Sequence, residues 1–229
     1  MIIKQIVENN IGITDVVNDG SLTYKGYVHH SGFDFVPELL GNFCKFINEF
    51  CNRFGITDNS KIIEFGCGSG VLVNCFPNDC LYVGLDGNLE GGKFIKEKNN
   101  KNKNFISVDL TKDFCLEPYL KYDALFSFDF MEHLDLENIS IVLNHMDNLL
   151  NKNGIMLSLI DTIELEAHRS NHPLPWWIDK INSLTNWQLV DACWRHQNRE
   201  SYWWQLFEKT IPPFWQPNIN NQMIVIYRK

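Results

Sequence analysis

The sequence predicts an α/β protein built on a twisted, mostly parallel seven-stranded sheet with helices on both faces. Three observations predict it. Short apolar runs rich in β-branched residues alternate with amphipathic helix-length stretches through five strands, followed by a helix and a last pair of strands. The first strand ends at Ile62-Ile63 and runs into a turn carrying Gly66, Gly68 and Gly70. The next three strands each close on an acid, at Asp86, Asp109 and Asp129. That edge, outside the C-terminal ends of the strands, is where open α/β sheets hold ligands.

Taken in order, residues 1–58 form an N-terminal segment and a helix over Pro37–Phe54. Its apolar residues Leu39, Leu40, Phe43, Phe46, Ile47 and Phe50 fall on one face. His29 and His30 lie beside Tyr24, Tyr27, Phe33 and Phe35, which suits equally a lid over a ligand and an ordinary docking arm. Residues 59–162 are the alternating core. Here Glu64 stands at the strand end, and the glycine turn lets a ligand approach the backbone closely and offers free N–H groups at a helix N-terminus. Leu81–Leu85 is a strand closed by Asp86-Gly87-Asn88, an acid placed to take both hydroxyls of a ribose. Phe105–Val108 is closed by Asp109, whose carboxylate suits the exocyclic amine of an adenine, with Leu110 beside it. Tyr122–Leu134 reads as a strand, ending near Phe128, that runs straight into a helix opening with Asp129 and Glu132. Lys96–Asn104 reads as a helix end and solvated loop. Residues 163–229 carry a Trp-rich helix, a strand near Trp187–Cys193, a Pro-bearing loop and a closing strand at Met223–Tyr227. No internal repeat is evident, so 1–229 reads as a single domain.

Composition narrows the classes. At 229 residues, 45% hydrophobic and 21% charged, the chain is globular in type and long enough to bury roughly 70% of its unfolded surface. A formal net charge of −8 argues against sequence-independent nucleic-acid binding. No apolar run reaches membrane-spanning length, and Met1–Ile6 does not resemble a secretory leader. The seven cysteines show no Cys-x-x-Cys or zinc spacing. Reduced thiols and a cytoplasmic setting are the expectation, with Cys67 packed beneath a cofactor rather than acting as a nucleophile.

The ordered set of motifs resembles the class I S-adenosylmethionine-dependent methyltransferases. Glu64–Gly70 resembles their first motif, Asp86 their ribose acid and Asp109 their adenine-side acid. Tyr122–Leu134 resembles the fourth-strand motif ending in Glu-His-Leu, and Leu149–Ser158 their fifth strand. The resemblance covers roughly residues 60–162. It implies a Rossmann-like fold whose last strand is antiparallel and lies inside the sheet. It also implies S-adenosyl-L-methionine as cofactor, held by Glu64, Gly66, Cys67, Gly68, Gly70, Asp86, Gly87, Asn88, Asp109, Leu110, Phe128 and Asp129. The rival is a nicotinamide-dependent oxidoreductase, whose fingerprint wants Gly or Ala where this chain has Val71.

For the methyl acceptor, the strand-end rule and the resemblance point to His133, Asp161, His168 and Trp176, with His172 as general base. Each has a plain alternative: His172 as a loop-packing residue, Trp176 or Trp177 as core, His133 as a helix-packing residue. On a helix, Asp129, Glu132 and His133 would share one face, as in some quinone-ring O-methyltransferases, but no residue is assigned to a metal. The implied activity is methyl transfer to an O or N atom of a small molecule, such as a sugar or biosynthetic intermediate. No nucleic-acid or membrane partner is expected. Two further readings stand beside it: a catalytically silent S-adenosylmethionine-binding partner or sensor, and a tRNA or protein methyltransferase.

Overall fold

The computed structural model describes residues 37–87, 91–98, 100–114, 116, 120–162, 168–194, 198–210 and 222–229. The elements run α1 (Pro37–Phe54), β1 (Lys61–Phe65), a 3-10 turn (Val71–Cys75), β2 (Leu81–Asp86), α2 (Lys93–Glu97) and β3 (Lys103–Ser107). There follow β4 (Tyr122–Phe128), a second 3-10 turn (Met131–His133), α3 (Leu136–Leu149), β5 (Leu150–Asp161) and α4 (Leu174–Leu184). The chain closes with β6 (Gln188–Trp194), α5 (Tyr202–Thr210) and β7 (Gln222–Arg228). One seven-stranded sheet results, in the order β3-β2-β1-β4-β5-β7-β6. Strands β1 to β5 pair in parallel, while β7 lies antiparallel between β5 and β6.

Strand periodicity sorts the core into two layers. Ile62, Tyr82, Phe126, Leu157 and Ile224 face a layer closed by α1, the first 3-10 turn and α5. Ile63, Val83, Leu125, Met156 and Val225 face the other, closed by α3 and α4. On α1, Phe43, Phe46, Ile47 and Phe50 are wholly buried, as the spacing predicts, and Phe46 and Phe50 pack their rings against Trp203 of α5. Burying one such side chain stabilises the fold by about 1.5–3 kcal/mol.

The structure departs from the sequence reading at several points. The glycine turn leads into a five-residue 3-10 turn and no α-helix. The fourth strand does not run straight into a helix either: Asp129 adopts φ 46°, three residues of 3-10 turn follow, and α3 begins only at Leu136. Asp129, Glu132 and His133 therefore do not share one helical face. Helix α5 was not foreseen. The cysteines are not all reduced, because Cys44 of α1 and Cys75 of the first 3-10 turn form a disulfide. Cys51, Cys67, Cys80 and Cys193 are free and buried. Lys103, expected in a solvated loop, is buried at the start of β3, where its ammonium donates to Pro77 O at 2.7 Å. The histidines and aromatics proposed for a lid fall in 1–36, outside the described residues. Among the described residues, no helix is long and apolar enough to cross a membrane.

Candidate active site

In chain order the sheet grows outward from β1 to β3, then restarts with β4 on the other side of β1. That reversal opens a crevice above β1 and β4, the topological switch point at which such sheets bind ligands. The glycine turn forms its floor. Gly66, Gly68 and Gly70 have φ of 71°, 52° and 75°, the left-handed region that side chains resist. Their surroundings differ. A Cβ on Gly66 would stand 2.5 Å from Phe130, and one on Gly70 2.4 Å from Ile95, whereas one on Gly68 would meet nothing within 4 Å. Gly66 and Gly70 are glycines because neighbouring side chains fill their space; Gly68 borders an open cradle.

Four N–H groups of the turn are engaged within the protein. Gly66 and Cys67 both donate to Leu85 O, at 2.9 and 3.0 Å, and Gly70 donates to Cys67 O at 2.8 Å. Gly68 N–H donates to Asp86 Oδ2 at 2.9 Å. What the turn supplies is shape and the placing of Asp86, whose carboxylate is buried at the end of β2 beside Gly87. Asn88 lies outside the described residues. Cys67 is buried, and a Cβ on Gly84 of β2 would stand 2.7 Å from its Sγ, so it packs between the turn and β2. Burial, with Asp86 and Glu64 nearby, holds its thiol well above the usual range, which suits a packing role.

Glu64 is buried and accepts the Tyr82 hydroxyl hydrogen. Burial pushes its carboxyl up to about 8; the Tyr82 bond opposes this and Asp86 adds to it. Glu64 is thus a buried brace between β1 and β2. Asp109, buried beyond β3, is held locally: Oδ1 accepts from Thr111 N and Oγ at 2.9 and 2.6 Å, and Oδ2 pairs with Lys112 at 3.0 Å. Leu110 is buried beside it.

On the far side of the crevice, β4 ends at the buried Phe128 and passes into Asp129, whose N–H donates to Leu159 O at 3.1 Å. Burial, then Asp161, pushes the Asp129 carboxyl up to about 7, while a bond from Gln222 opposes the shift. Gln222 pairs in register with Asp161 across β5 and β7. No local motif marks Gln222, because its place depends on β7 inserting beside β5. Glu132 has no exposure; its Oε1 accepts Asp161 N–H at 2.9 Å.

The residues expected to meet an acceptor form two ring contacts. His133 and His168 meet edge to face with centroids 4.8 Å apart. His172 stacks on Trp176 at 3.8 Å and 19°, and Trp176 stands edge-on to Trp177, which is the core member of the pair. Ser170, which sequence reasoning missed, binds this segment to the turn after β4. Its N–H donates to Glu132 O at 3.0 Å and its hydroxyl donates to Leu134 O.

Comparison with known proteins agrees with this geometry. Residues 37–217 match the family model of a methyltransferase domain. The chain belongs to the methyltransferase-domain family. The strand order, with β7 antiparallel inside the sheet, is the one that the resemblance to class I S-adenosylmethionine-dependent methyltransferases implies. No curated protein matches the sequence of this methyltransferase. Among solved structures, it is similar to an S-adenosylmethionine-dependent methyltransferase from Clostridium acetobutylicum ATCC 824, with TM-score 0.59 and 12% identity over 90% of this chain and 98% of that one. It is similar also to the N-methyltransferase NodS from Bradyrhizobium japonicum WM9 in complex with S-adenosyl-L-homocysteine, with TM-score 0.58, 10% identity, and 90% and 98% of the chains covered. A third is the Burkholderia thailandensis 1,6-didemethyltoxoflavin-N1-methyltransferase, with TM-score 0.58, 11% identity, and 94% and 81% covered. At these identities the likeness is one of fold.

Proposed function

We propose that this methyltransferase modifies an O or N atom of a small-molecule acceptor, such as a sugar or other biosynthetic intermediate. The observation that carries the reading is the open cradle at Gly68 beside the buried Asp86, at the strand-end edge that also carries the His- and Trp-bearing segment after β5. S-adenosylmethionine supplies a methyl already activated by its sulfonium. The protein's share is therefore alignment of two reactants and exclusion of water.

In this assignment Gly66, Cys67, Gly68, Gly70 and Gly87 shape the cradle, and Asp86 takes the ribose hydroxyls. Asn88 belongs to the same set by its motif position. Glu64 braces the cradle from below. Asp109 and Leu110 border the adenine, and Phe128 and Asp129 the methionine end. His133, Asp161, His168 and Trp176 wall the acceptor. Trp176 fixes the plane of the His172 ring by stacking, so that the imidazole can take a proton from a hydroxyl acceptor. An acceptor that arrives as a free amine needs no such base. The net charge of −8 favours a small molecule over nucleic acid. No membrane partner enters the reading.

Calorimetry with S-adenosylmethionine, S-adenosylhomocysteine, NAD and NADP tests the donor half. Binding of the first two alone is expected, and Asp86→Ala should weaken it at least about tenfold; unchanged affinity would refute the ribose role. His172→Ala should lower turnover of a hydroxyl acceptor and leave donor affinity as it was. If an acceptor is found and His172→Ala turns it over at the normal rate, the base assignment fails.

A further inference from the structure

One group of side chains beside the donor site has the composition of a metal centre. The two bonds made by the buried Ser170 draw the segment starting at His168 against the turn that carries Glu132 and His133. One carboxylate oxygen of Glu132 and one ring nitrogen from each of His133 and His168 then lie within 4.8 Å of one another. Glu132 is wholly buried. Its Oε1 is occupied by Asp161 N–H, but among the described residues its buried Oε2 has no hydrogen-bond partner, and neither has the buried Oδ1 of Asp129. Among the described residues no ion pair reaches Asp129 or Glu132. A buried carboxylate without a partner is costly, and it is retained where a cation or a coordinated group completes it.

We propose that Glu132, His133 and His168 bind one divalent first-row transition cation. Two imidazoles and a carboxylate favour zinc or its neighbours over magnesium or calcium, which prefer all-oxygen sites. Ligand atoms about 2.1 Å from zinc in a tetrahedron sit about 3.4 Å apart, so a pair at the 4.8 Å limit needs to close by about 1.4 Å, within reach of side-chain rotation. Three protein ligands leave a position open, as in zinc sites that bind substrate. The role of that position rests on the functional reading above: a hydroxyl-bearing acceptor would complete it, which narrows the acceptor class from O or N to hydroxyl.

The test uses the full chain, stripped with chelator and titrated with Zn2+ by calorimetry and with Co2+ by visible absorption, without methyl donor. One equivalent per chain is expected, with cobalt bands showing nitrogen ligation. His168→Ala should weaken binding at least about tenfold, and the His133→Ala/His168→Ala pair at least about 100-fold, beyond what loss of an outer hydrogen bond alone does. His168 is half-buried on the segment edge, and far-UV circular dichroism confirms that its variant folds. Absence of stoichiometric binding, or unchanged affinity in His168→Ala, would overturn the proposal. Metal binding in a protein that binds no methyl donor would refute the functional reading and leave the metal site standing; donor binding with no metal would do the reverse.

Discussion

Gly66→Ala and Gly68→Ala add the same methyl group to two glycines two residues apart, and the structure assigns them opposite consequences. Both residues have positive φ, so each substitution costs about 1–2 kcal/mol of backbone strain. At Gly68 nothing further is met within 4 Å, and the total stays there. For a domain of this length that is a fall in Tm of about 2–8 °C. At Gly66 the new Cβ would lie 2.5 Å from Phe130, and moving that ring adds about 1–3 kcal/mol of overpacking. The total of about 2–5 kcal/mol lowers Tm by about 4–20 °C. Affinity should rank the other way per unit of stability lost. The Gly68 methyl projects into the cradle and should weaken S-adenosylhomocysteine binding at least about tenfold, although the fold is hardly disturbed. Thermal melts and calorimetry on the same preparations decide the matter. If Gly68→Ala binds S-adenosylhomocysteine like the unmodified protein, the open space beside Gly68 is not the donor site. If Gly66→Ala melts no lower than Gly68→Ala, Phe130 does not pack as described.

Stability should depend on pH through Glu64. Its folded pKa, about 8, lies above the ordinary value of 4.5, so the fold holds the proton more tightly than the unfolded chain. That contribution is fully present below pH 4.5 and is lost as pH rises to about 8, a change on the order of a few kcal/mol. Glu64→Gln should flatten the slope of urea stability between pH 5 and 8 without abolishing it, since Asp129, pushed up to about 7, has the same sign. A slope untouched by Glu64→Gln would refute the burial argument. Replacing Cys44 and Cys75 with serine opens a loop of sequence separation 31, and chain entropy sets the loss at about 3–4 kcal/mol, read as a lower urea midpoint. Ser170→Ala removes one buried bond, should cost about 1–2 kcal/mol, and should raise amide exchange at residues 168–172.

The parallel core was legible because it rests on local signals. The short apolar runs gave the core strands, and the 3.6-residue spacing of Phe43, Phe46, Ile47 and Phe50 placed α1 over Pro37–Phe54, the bounds observed. Asp86 was legible because a strand-end acid has one position relative to the glycine turn. What failed was whatever depended on distant partners. The N–H groups of Gly66, Cys67 and Gly68 are taken by Leu85 and Asp86, eighteen or more residues away in sequence. The Met131–His133 turn was read as helix because Asp129 shows no sequence mark of its positive φ. The cysteine pair spans α1 and the 3-10 turn, and no spacing motif announces it. Ser170 looked like one polar loop residue among several; only the buried carbonyls it meets give it a role.

The position of β7 has a consequence for how the molecule is assembled. It is the last strand in chain order, yet it sits between β5 and β6 and pairs with both along most of its length. The glycine turn and Asp86 draw on β1 and β2, which pair with each other and with β3 over short sequence distances and can form early. The Asp129–Gln222 bond and the Asp161–Gln222 register cannot exist until residues 222–228 arrive from more than sixty positions away. Non-local pairing of this kind is slow, and until it is complete β5 and β6 present open edges to other chains. A pulse of hydrogen exchange during refolding should therefore protect β1, β2 and β3 first, with the Asp129–Gln222 side of the crevice the last part of the enzyme to take shape.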